Sequence, residues 1–70
     1  MSEYEQYLKE KQQLEVLVAL LYKITSVKEN LSGAYVHLEN AQGETAILHL
    51  ETANARKYLG TVLIQQESSA

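Results

Sequence analysis

The feature that most constrains this chain is a run of seven apolar residues, Val16 to Tyr22, inside a long stretch whose periodicity reads as helix. Tyr4, Tyr7, Leu8, Leu14, Leu17, Val18, Leu21 and Ile24 recur at three- and four-residue steps, and no glycine or proline intervenes before Gly33. Ser2 with Glu5 forms a capping box, and Glu3 and Glu5 suit the positive end of a helix dipole. A helix over about 3–30 is predicted. In its middle, Val16 and Leu20 fall on a different face from Leu14 and Leu21, so the helix is apolar nearly all round.

One neighbouring element covers one stripe of a helix, and a helix apolar on two sides needs two neighbours. The rest of a 70-residue chain can hardly supply the second. A domain of this size buries only about 60% of the surface its unfolded chain exposes, and small domains make up the deficit with disulfides, metals or oligomerisation. Disulfides and thiolate metal sites are excluded, because the chain has no cysteine. Self-association is therefore expected, through Leu14, Leu17, Val18, Leu20, Leu21 and Ile24.

Beyond this segment Val27 and Leu31 continue the stripe, and Ser32-Gly33 reads as a stop with Gly33 as C-cap. Tyr35 to Glu39 and Ile47 to Glu51 then alternate, placing Val36, Leu38, Leu48 and Leu50 on one face. Asn40-Ala41-Gln42-Gly43 between them suits a type I turn closed by a glycine bulge. A β-hairpin over about 34–51 follows, with Tyr35 opposite His49 and His37 opposite Ile47. The octets starting at Ala34 and Ala46 resemble each other, as two strands of one hairpin in like environments would.

From Thr52 the period returns to that of a helix, with Ala55, Tyr58, Leu59, Val62 and Leu63 on one stripe. A second helix over about 53–66 is expected, with residues 67–70 as a fraying tail. The whole is read as one domain of the α+β class: long N-terminal helix, hairpin, C-terminal helix (α-β-β-α), oligomeric through helix packing. The alternative is an all-α helical hairpin or bundle. Its seam would run from Leu38 to Val62, hold two threonines and carry Gly43 in a helix interior.

Charge and chemistry narrow the function classes. Nine glutamates against six scattered basic residues give a net charge of −3, which disfavours a nucleic-acid backbone or an anionic membrane surface as partner. The opening residues lack the pattern of a secretory signal, no apolar run is long enough to span a bilayer, and the absence of cysteine suits the cytoplasm. His37 and His49 would be diagonal neighbours on the hairpin's outward face. Two ligands fall short of the three or four zinc wants, so no metal or cofactor is assigned.

No nucleophile–base pair, phosphate loop or distinguishable carboxylate pair is visible, and an enzyme is not expected. All five aromatics are tyrosines, a residue that packs its ring while its hydroxyl stays wet. Tyr4, Tyr7 and Tyr35 are the candidate contacts for a partner protein. The expected function is a non-enzymatic adaptor or regulatory protein acting as a homo-oligomer. Its rivals are a small metal- or ligand-binding module using His37 and His49, and an acidic inhibitor that blocks another protein's binding surface.

Overall fold

The computed structural model describes residues 2–68. Helix α1 (Glu3–Ala19) is followed by strands β1 (Lys23–Asn30), β2 (Gly33–Glu39) and β3 (Thr45–Leu50), and helix α2 (Ala53–Ser68) closes the order. The strands form one antiparallel meander, β1-β2-β3. The class is α+β with one strand more than the sequence suggests. The expected tail begins inside α2 at Glu67, and residues 69–70 lie outside the described ones.

The N-terminus of α1 is built as the capping box implies, with Ser2 Oγ accepting from the Glu5 N–H at 3.2 Å. Its end corrects the expected helix over 3–30. Leu21 takes a left-handed conformation, φ 69°. Tyr22 N–H donates to the Leu17 carbonyl and Leu21 N–H to that of Val18, the paired bonds of a Schellman stop. Leu17 and Tyr22 both pack against the core, supplying the apolar clasp that accompanies this motif.

Residues 23–30 are therefore strand. Ile24 pairs with Leu38 and Val27 with Val36, but a bulge lies between Ile24 and Ser26. The extra residue puts the two inward side chains three positions apart, a helical spacing, although both belong to a strand. The turn to β2, Asn30-Leu31-Ser32-Gly33, is held by Asn30 Oδ1 accepting from Ser32 N–H at 2.7 Å. Gly33, at φ 122°, is a strand residue and not a helix C-cap, and a side chain there would strike the Leu50 carbonyl.

The second hairpin has the expected turn and register. Gly43 N–H donates to the Asn40 carbonyl at 3.1 Å, Gly43 has φ 84°, and Asn40 Oδ1 accepts from Gln42 and Glu44. Tyr35 pairs with His49 and His37 with Ile47.

Both helices cover one face of the sheet. Leu14 from α1 and Ala55, Leu59 and Val62 from α2 close over Ile24, Ala34, Val36, Leu38, Leu48 and Leu50. The helices run in the same direction, since Glu10 meets Thr52, Glu15 meets Tyr58, and Gln66 meets Ile24 just beyond the end of α1. Thr52 is the N-cap of α2, its Oγ1 accepting from Ala55 N–H at 3.2 Å.

Glu10 ties the layers together. Its buried carboxylate accepts from the N–H groups of Glu51 (3.0 Å) and Thr52 (3.1 Å), from Thr52 Oγ1 (2.8 Å), and from Gln6 Nε2 (3.2 Å). Burial alone pushes this carboxyl up, but the donated hydrogen bonds outweigh it and hold the group below its ordinary value.

Candidate functional site

Two features of the surface are not explained by the needs of the fold. The first is the second half of α1 and its exit. Val16 (49% exposed), Val18 (41%), Leu20 (61%) and Leu21 (79%) all face solvent. The helix lies over one sheet face and has α2 on one flank, and among the described residues no further element covers its remaining flanks. On one side Val18, Leu21 and Tyr22 line a groove of about 290 Å³ together with Val62 and the amides of Gln65 and Gln66. On the other, Gln12, Gln13, Val16 and Leu17 line a groove of about 440 Å³ with Ala46, Ile47 and Leu48 of β3.

Of the self-association residues expected from sequence, Val18, Leu20 and Leu21 belong to this uncovered surface, and Leu17 is half-buried beside it. Leu14 and Ile24 do not. Leu14 is fully buried under the sheet, and Ile24 sits on β1 as part of the same core, so neither is offered to a partner. Ile47, which is not among the residues expected from sequence, is 66% exposed. The alternation of β3 carried the signal, because Ile47 shares its face with His49 and not with Leu48.

The second feature is the sheet face turned away from the helices. Tyr35 and His49 stack there with ring centroids 4.2 Å apart and planes 1° from parallel. His49 Nε2 lies 2.8 Å from the Ser32 carbonyl, and its Nδ1 faces Glu51 Oε1 at 3.6 Å. The imidazole thus bridges the β1–β2 turn to the end of β3. His37, one row along between Ser26 and Ile47, is half-buried. Among the described residues no three histidine or carboxylate side chains gather as a metal would need.

The other tyrosines lie apart from this face. Tyr4 is exposed and touches Tyr7, with centroids 6.3 Å apart, while Tyr7 leans on the core. Tyr35 is therefore not joined to them in one patch. Tyr58 sits in the seam between helices, donating its hydroxyl to Glu15 at 3.2 Å beneath Lys11 Nζ, 5.2 Å from its ring. Burial and the Glu15 carboxylate raise its phenol above the ordinary value.

The two edges of the sheet also differ. On β1, Gln66 closes the outward groups of Ile24, its Oε1 accepting from the N–H at 2.9 Å and its Nε2 donating to the carbonyl at 3.0 Å. Lys23, Lys28, Glu29 and the bulge further blunt that edge. Strand β3, Thr-Ala-Ile-Leu-His-Leu, has no bulge against β2, no proline and no acidic or lysine side chain.

No helix among the described residues is long and apolar enough to cross a membrane. Compared with family models, curated proteins and solved structures, the chain finds no match.

Proposed function

We propose that this is a non-enzymatic, cytoplasmic protein-interaction module that works as a homo-oligomer, binding itself through the surface α1 leaves uncovered. The observation that carries this reading is the aliphatic set Val16, Val18, Leu20 and Leu21, four solvent-facing side chains on the last turn of α1 and its exit, spread over both of its uncovered flanks. Several exposed aliphatic side chains within six consecutive residues support an interaction surface, whereas single exposed leucines need no explanation. Leu21 strengthens the point. A leucine held at positive φ is strained where glycine would be relaxed, and its side chain contributes little burial in return.

The acidic net charge keeps such a protein soluble between partners and places nucleic acid outside the reading. Tyr4, Tyr7 and Tyr35 are the contacts offered to a different protein. Sedimentation velocity over a range of concentrations tests the proposal. The wild type should associate at micromolar concentration, and a variant carrying Val16→Glu and Leu20→Glu should sediment as a monomer with an unchanged circular dichroism spectrum. A wild type that stays monomeric throughout defeats the proposal.

A further inference from the structure

Among the described residues nothing pairs with the outer edge of β3, and that edge has a defined hydrogen-bonding phase. In an antiparallel pair, backbone groups point alternately toward the neighbouring strand and away from it. Asn40 N–H donates to the Glu44 carbonyl at 3.0 Å, so residue 44 faces β2 and, by alternation, so do Ala46, Leu48 and Leu50. The outward groups of β3 are then those of Thr45, Ile47 and His49. The same alternation turns the outward groups of Ile24 on β1 away from β2, where Gln66 takes them. The Glu51 N–H is not free either, because Glu10 holds it.

We propose that the outward edge of β3 pairs with β3 of a second copy, antiparallel about a two-fold axis at Ile47, joining two sheets into one. This deepens the self-association reading above and rests on it. With the axis at Ile47, Thr45 lies opposite the second copy's His49, Ile47 opposite its own equivalent, and Ala46 opposite Leu48. Every outward N–H of the three residues then meets an outward carbonyl. Moving the axis by one residue, to Leu48, would need Glu51 as a pairing residue, and its N–H is already committed to Glu10.

The occupant follows from charge and shape. On a chain of net charge −3, residues 45–50 carry no carboxylate or lysine, so self-pairing brings no like charges into register. A two-fold axis perpendicular to the sheet also sets both α1 helices on the same side of the joint, one beside the other. The groove lined by Gln12, Gln13, Val16, Ala46 and Ile47 is thereby enclosed from both sides. A β-branched pair at the axis and a Thr–His pair beside it are favourable cross-strand neighbours.

Cross-linking tests the register directly, since the chain contains no cysteine of its own. Opposed residues of a hydrogen-bonded pair have Cα atoms about 5.5 Å apart, within disulfide reach. With diamide as oxidant, Ile47→Cys chains should link to one another, and Thr45→Cys chains, which face His49 across the joint, should not. Ile47→Pro removes an outward N–H that the lone molecule does not use, and should abolish the dimer in sedimentation while the spectrum stays folded. If that variant does not fold, amide exchange of the wild type gives the same reading: Thr45, Ile47 and His49 should slow as concentration rises. A dimer that neither links through position 47 nor protects these amides overturns strand pairing alone. A wild type that is monomeric at every concentration overturns both this pairing and the self-association on which it rests.

Discussion

Glu10 shows how one side chain can decide the geometry of this molecule. Its carboxylate receives four donors from α1, the end of β3 and the N-cap of α2, so it fixes helix to sheet and helix to helix together. Glu10→Gln replaces one acceptor oxygen with a donor aimed at N–H groups, and should cost about 1–3 kcal/mol. Because the folded carboxyl titrates below its ordinary value, the stability it supplies is complete above the usual glutamate range. That stability is lost as pH falls through the lowered folded value. Urea midpoints measured from neutral to acid pH should fall more steeply for the wild type than for Glu10→Gln. At Leu21 the expected change has the opposite sign. Leu21→Gly relieves the left-handed strain and should raise stability by up to about 1 kcal/mol, less the added freedom of the unfolded chain, in thermal melts of the monomer.

At the scale of elements, the second hairpin was legible because its signals are local: Asn40 and Gly43 at fixed positions in a turn, and strict alternation on either side. Strand β1 was hidden by its bulge, which spaces Ile24 and Val27 as a helix would. The helix stop was hidden too, because the residue at positive φ is a leucine and not a glycine. The sequence does hold one cue to the β1–β2 turn. Asn30-Leu31-Ser32-Gly33 repeats the Asn-x-x-Gly pattern of the second turn, and Leu31, although it falls on the apolar stripe, lies fully in solvent. The uncovered aliphatic surface is legible as a surplus of apolar positions, whereas the places of Leu14 and Ile24 in the core depend on a strand that the periodicity does not reveal. The Gln66 clamp on β1 spans 42 positions and leaves no sequence signal. Gln66→Ala should quicken amide exchange at Ile24 selectively and lower stability by about 1–2 kcal/mol.

At the scale of the whole molecule, the helices sit on one face and the chain visits the layers in the order helix, sheet, helix. The contacts that hold α1 lie far along the sequence: Glu10 reaches residues 51 and 52, Gln6 also reaches Glu51, and Glu15 reaches Tyr58. The two tight turns, by contrast, close over a few residues each. Closing long loops before their contacts can form is entropically unfavourable, so the order of events in refolding is set by this asymmetry. We expect the hairpins to form first and the N-terminal helix to settle last. In stopped-flow experiments, substitutions at Asn40 should slow refolding, whereas Glu10→Gln should mainly speed unfolding. On that order the carboxylate that locks the finished molecule is a latch thrown at the close of folding, and a nascent chain must extend past Thr52 before its first helix can be fastened.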